Sequence, residues 1–189
     1  MRKLLPLLLL AACSSGPVPP AWQASAKYSL EAFREAYLRG ETRVADLEFA
    51  RARAELASTG RAALVARAEL IRCAARTASL EFDDCPGFEK LRADAGPEEL
   101  AYADFLAGRA ARAAAEDAFS RLVSAGVEFK GGKSGPLTIA AAIDLSSAQG
   151  WRRPLLAWLG VEEMRAEAAG DAAVLERIRR RIELVSGGR

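Results

Sequence analysis

Large apolar side chains recur every three to four residues along most of this chain, and alanine, at 41 of 189 positions, fills much of the space between them. That period matches the 3.6-residue turn of an α-helix, not the two-residue alternation of a half-buried strand. Arginine, leucine and glutamate supply much of the remainder, and all are strong helix formers. β-Branched residues are sparse and rarely alternate with polar ones. The pattern predicts an all-α fold of about seven antiparallel helices, a bundle or a short helical-hairpin array, with no substantial sheet.

The segments follow from their apolar stripes and their breakers. The first spans 21–39, with Trp22, Ala26, Leu30, Phe33 and Tyr37 on one face and Gly40 at its stop. The second, 41–58, carries Ala45, Phe49, Ala52 and Leu56 before Thr59-Gly60. The third, 62–80, aligns Leu64, Ala68, Ile71, Ala75 and Ala78. After the breaker Asp83-Asp84-Cys85-Pro86-Gly87, Gly96-Pro97 opens a fourth helix, with Glu98-Glu99 at its positive end. It is expected to run through Ala110-Ala111 to Leu122, bent around Gly108. Four glycines from Gly126 to Pro136 form the longest interruption, and Val127-Glu128-Phe129 inside it is the single strand candidate. Helices over 137–148, 151–169 and 171–185 complete the set, the last with Asp171 as its N-cap. Each alanine buries little area, at about 25 cal/mol per Å². Trp22, Phe33, Tyr37, Phe49, Phe105, Phe119, Trp151 and Trp158 are therefore expected to anchor the core.

The N-terminus has a different character. Met1-Arg2-Lys3 precedes an apolar run, Leu4 to Leu10, and then Ala11-Ala12-Cys13. A positive start, a short apolar stretch and small residues before a cut are the parts of a secretory signal. The stretch falls well short of the ~20 residues that span a bilayer. Leu10-Ala11-Ala12-Cys13 resembles the lipobox of bacterial lipoproteins. The resemblance implies a signal peptide over 1–12, cleavage before Cys13, diacylation of the Cys13 thiol and acylation of its new amino group. Several acyl chains anchor stably where one holds only marginally. Ser14 follows, where an aspartate would resemble the inner-membrane retention signal; in a host with two membranes this implies the outer one, with the body facing the periplasm. Residues 13–20, rich in Pro, Ser and Gly, read as a tether, and 21–189 as a single helical domain.

Cleavage also removes Arg2 and Lys3, leaving 177 residues with 25 basic and 25 acidic side chains. A nucleic-acid partner would call for a clear basic excess, so none is expected. Histidine is absent, which excludes His-based triads and His metal ligands.

Two cysteines remain after export, Cys73 late in a helix and Cys85 in the following breaker. Spacing and an oxidising compartment favour a Cys73–Cys85 disulfide over two separate buried thiols. Two thiols without histidine supply half a tetrahedral zinc shell, so no metal site is expected. Without Cys-x-x-Cys, the bridge reads as a staple for the turn.

Gly40-Glu41 opening a helix, followed by Ala45, Phe49 and Ala52, resembles the second-helix half of a tetratricopeptide repeat. Ala169-Gly170-Asp171 is similar to the same turn. The first-helix signature departs from the pattern at Ser29 and Phe33, and no fixed period covers the chain. Members of that family bind peptides or proteins in a concave groove, so the resemblance implies interaction.

Motifs for chemistry are thin. Lys130-Gly131-Gly132-Lys133-Ser134 lacks the first glycine of a phosphate loop, and Gly135-Pro136 interrupts helix entry; it reads as a connector. No cofactor motif stands out. Asp83-Asp84, Glu98-Glu99 and Glu162-Glu163 are adjacent pairs, and neighbours on a helix do not face each other. Trp151, Arg152, Arg153 and Trp158 form the most distinctive cluster, a partner-binding surface if exposed. The alternative is that the tryptophans anchor the core while the arginines stay in water. The expectation is a lipid-anchored envelope protein acting as a noncatalytic interaction or assembly module with an envelope protein partner. A histidine-free periplasmic enzyme working on an envelope component is the alternative.

Overall fold

A computed structural model describes residues 20–111 and 116–187. Residues 1–12, Cys13 and the tether to position 19 lie outside the described residues. Among those described, nine α-helices occur and no strand: α1 (Ala21–Arg39), α2 (Thr42–Ala57), α3 (Ala62–Ala78), α4 (Pro86–Glu89), α5 (Pro97–Leu106), α6 (Ala118–Lys130), α7 (Pro136–Gln149), α8 (Arg152–Ala169) and α9 (Ala172–Ser186). A single 3-10 turn, Arg92–Asp94, joins α4 to α5. No described helix is long and apolar enough to cross a membrane. The all-α class is as the sequence pattern predicts.

The differences in helix number have local causes. Pro86 starts a one-turn helix inside the breaker. The fourth expected helix is two: α5 stops at Leu106, and Gly108, at φ +74°, turns the chain. α6 then starts afresh where Asp117 accepts from the Ser120 amide. The glycine-rich interruption shrinks because α6 continues through Gly126 to Lys130, and the strand candidate Val127–Phe129 is helical. Gly126 is a contact point: a Cβ there would lie 2.2 Å from the Thr77 carbonyl oxygen of α3.

α3 is the centre of the fold. It packs against α1, α2, α4, α5 and α6, and Ala66, Ala68, Ala74, Ala75 and Ala78 on it are all fully buried. Alanine on so many faces lets neighbours close in from several sides, while Leu70 and Val65 fill the wider gaps. α6, α7, α8 and α9 follow one another as packed neighbours, and α8 returns to α1.

The α1–α2 hairpin forms at the turn the sequence marks. Gly40 sits at φ +82°, its amide bonds to Tyr37 O, and the Glu41 amide reaches back to Ala36 O. That pair of bonds satisfies the last carbonyls of α1. Ala45 and Ala52 are fully buried, and Phe49 meets Phe33 at 5.0 Å between ring centroids. α3 ends by the same two bonds, from Leu80 to Thr77 O and from Glu81 to Arg76 O. Its left-handed residue is Leu80, at φ +57°, where glycine is usual.

Cys73 of α3 and Cys85 are joined by a disulfide with Cα atoms 5.7 Å apart. Cys85 also lies in left-handed backbone, φ +50°, and its amide bonds to the Asp83 carboxylate. The bridge and this local turn together hold the loop after Leu80 against α3. Cys73→Ala is expected to lower the unfolding free energy by about 3 kcal/mol on the chain-entropy argument. Urea titrations of the oxidised wild type and the variant measure it; coincident midpoints would show that the loop is held without the bridge.

Candidate functional site

The tryptophan–arginine cluster separates into two roles. Trp151 precedes α8 and is 5% exposed, with its Nε1 donating to Glu35 of α1 at 3.2 Å. Trp158 is fully buried, and its Nε1 donates to Ala78 O at the end of α3. Neither indole is offered to a partner. Trp151, Arg152, Arg153 and Trp158 thus do not form one exposed surface: both rings face the core, which is the alternative the sequence left open, and the arginines reach the outside.

The two arginines differ in turn. Arg153 is a clamp between elements. Its Nε donates to Tyr37 O at 2.8 Å, one terminal nitrogen to Glu81 at 3.1 Å and the other to Thr42 Oγ1 at 2.7 Å. Its guanidinium also lies 4.3 Å from the Tyr37 ring centroid. A cation on the last carbonyls of α1 complements the negative end of that helix. Tyr37 completes the arrangement by donating its hydroxyl to Glu81 at 2.8 Å. Burial, then the hydrogen bond to Glu81, pushes the Tyr37 phenol well above its ordinary value, so it stays a neutral donor.

Arg152 makes no hydrogen bond or ion pair among the described residues. Its guanidinium lies over Gly40, where a Cβ would stand 3.3 Å from a terminal nitrogen. Together Gly40, Thr42, Arg152, Arg153, Leu156 and Ser186 line a cavity of about 480 Å³. No acidic residue is among its described lining. α2 and α8 both begin at its wall, neither with an acidic residue in its first turn nor with a side-chain N-cap bond. The starts of α2 and α8 carry partial positive charge and the ends of α1 at Gly40 and α9 at Ser186 partial negative charge, so the formal charges of the lining are those of Arg152 and Arg153. Two guanidinium groups side by side offer N–H donors of the kind that pair with an anion.

Other features are committed elsewhere. The ligand atoms of Cys73, Cys85 and Asp83 lie within 4.8 Å of one another. The two sulfurs are bonded together and Asp83 pairs with Arg76, so that donor set is spent. Glu48, Glu69 and Glu99 are buried on three different helices, a pattern that adjacent pairs in the sequence did not reveal. Each is met by arginine: Glu48 by Arg51, Glu69 by Arg53 and Arg72, Glu99 by Arg67. Burial raises the Glu99 carboxyl, but the Arg67 hydrogen bond and backbone amides outweigh it and hold the group below its usual range. A carboxylate so held is a poor proton donor near neutral pH. Lys130 to Ser134 follows a helix rather than a strand, which removes the geometry of a phosphate loop.

The sequence marked Arg152 and Arg153 but not Thr42 or Ser186, whose approach depends on how α2 and α9 pack. No family model, curated protein or solved structure matches this chain.

Proposed function

We propose that this chain is a lipid-anchored envelope protein whose helical body acts as a noncatalytic interaction module. The reading places the acylated Cys13 in the outer membrane and the body in the periplasm. Leu10-Ala11-Ala12-Cys13, followed by Ser14, supports the anchor. One structural observation carries the interaction reading: Arg152, exposed and without a side-chain partner among the described residues, stands beside the clamped Arg153 in a cavity whose described lining holds no acidic residue. Arg152 is exposed beside an arginine held by three hydrogen bonds, a position from which it can reach an anion on a partner. The buried carboxylates, each neutralised by an arginine, support binding over acid–base catalysis.

Two measurements test this in cells. Cys13→Ser is expected to abolish palmitate incorporation and release the protein from membranes; continued labelling overturns the anchor. A photo-crosslinking side chain at exposed Ser186, on the cavity wall, is expected to capture one defined envelope protein, while one at exposed Leu137 does not. Equal capture from both sites, or none from Ser186, overturns the module.

A further inference from the structure

We infer that the cavity at Arg152 and Arg153 binds a carboxylate of an acidic peptide segment on the partner, an inference that rests on the interaction reading and adds its recognition chemistry. Arg152 brings five N–H groups, none with an acceptor among the described residues, in a planar fork that matches the two oxygens of a carboxylate with parallel hydrogen bonds. Arg153 spends three N–H groups on Tyr37, Glu81 and Thr42, which leaves two and fixes the plane that presents them. Thr42 Oγ1 accepts from Arg153, so its own proton remains to donate. Ser186 is different: its hydroxyl proton is directed to the Ile182 and Glu183 carbonyls, so it offers an acceptor at the rim.

Charge decides the sign of the ligand. Arg152 and Arg153 are the first two residues of α8, where a helix start disfavours cations. An anion held between them relieves that repulsion. Glu81 offsets Arg153 in part, while Glu41, beside the cavity as the N-cap of α2, forms no ion pair with either arginine. Arg152 is therefore the lining arginine that meets no carboxylate among the described residues. Leu156 supplies an apolar wall against which the methylenes of a glutamate would rest.

The tether joins the first residue of α1, whereas Gly40 and Thr42 follow its last, about 28 Å away at 1.5 Å per residue. On the anchored reading the site lies a helix length from the residue that the tether joins, and the vesicle probe below separates a lipid phosphate from a peptide carboxylate.

The test uses the folded protein and a fluorescein-labelled hexaglutamate peptide, read by anisotropy at low and physiological salt. Hexaglutamine and phosphatidylglycerol vesicles are the comparison probes. Saturable hexaglutamate binding is expected, with hexaglutamine inert and affinity falling as salt rises. Arg152→Gln should weaken it by about tenfold or more while leaving the melting temperature unchanged, since the Arg152 side chain makes no hydrogen bond or ion pair among the described residues. Ser186→Asp, which adds a like charge at the rim, should weaken it independently. Equal binding of hexaglutamine, an unchanged affinity in Arg152→Gln, or Arg152-dependent binding of vesicles but not peptide overturns the inference. If Ser186 crosslinks a partner in cells while hexaglutamate does not bind, the interaction reading stands and this chemistry falls. Peptide binding without a captured partner supports the chemistry and removes the envelope partner.

Discussion

Gly126→Ala lowers the stability of this protein, although the same exchange in an ordinary helix interior raises it by about 1 kcal/mol. The reversal follows from one crossing. A methyl group at position 126 of α6 would lie 2.2 Å from the Thr77 carbonyl oxygen and 2.9 Å from its carbonyl carbon. Those are backbone atoms in the last turn of α3, so no side-chain rotation makes room. The helices must separate, and Leu122 and Val123 of α6, both buried, then lose contact with the core they share with Ala74 and Ala78. Overpacking of this kind costs about 1–3 kcal/mol, more where backbone must move. Gly160, within α8, provides the control: nothing lies within 4 Å of its Cβ position. Gly160→Ala is expected to stabilise by about 0.5–1 kcal/mol. Urea unfolding of the two variants should therefore shift in opposite directions. A shared direction would mean that α3 and α6 do not meet as described.

Gly126 also shows where reading a sequence stops. In one dimension a glycine reports only its conformational cost, so a run containing Gly126, Gly131, Gly132 and Gly135 reads as a break. Its packing role depends on α3 lying across it, which no local pattern records. Gly40, Gly150 and Gly170 were legible because each sits just past the last residue of an apolar stripe, and each ends a helix. Leu80 was not, since no composition rule marks a leucine for left-handed backbone. Two aspects of the candidate site were likewise unequal. Whether the indoles of Trp151 and Trp158 faced a partner or the core was open in the sequence, because Trp151 stands before the first residue of α8 and its direction is set by Glu35 of α1. The division between Arg152 and Arg153 was hidden, because Arg153 is claimed by Tyr37, Thr42 and Glu81, which reach it from α1, α2 and the turn after α3. Neighbouring identical residues acquire different functions from partners far away in sequence.

Trp158→Ala is expected to cost about 3–5 kcal/mol, the range for deleting a fully buried aromatic side chain. The indole is completely enclosed and meets the Phe129 ring edge-on at 5.6 Å, so it joins α8 to α6. It also joins α8 to α3 by a different means. The last four carbonyls of a helix have no partner within it. In α3, Arg76 O and Thr77 O take amides from the following turn, and Ala78 O takes the Trp158 Nε1 proton at 3.2 Å. Trp158→Phe separates the two contributions. It retains an aromatic ring against Phe129 but leaves the Ala78 carbonyl without its donor, a loss of about 1–3 kcal/mol for a buried acceptor. Phenylalanine should therefore fall between wild type and alanine in a denaturant titration. Were phenylalanine as stable as wild type, packing alone would hold α8; were it as unstable as alanine, the hydrogen bond would dominate. The intermediate result is expected because α8 is fastened here to α6 by surface and to α3 by a proton, and the same helix carries Arg152 and Arg153 at its start. Loosening Trp158 thus also frees the scaffold on which those arginines are held.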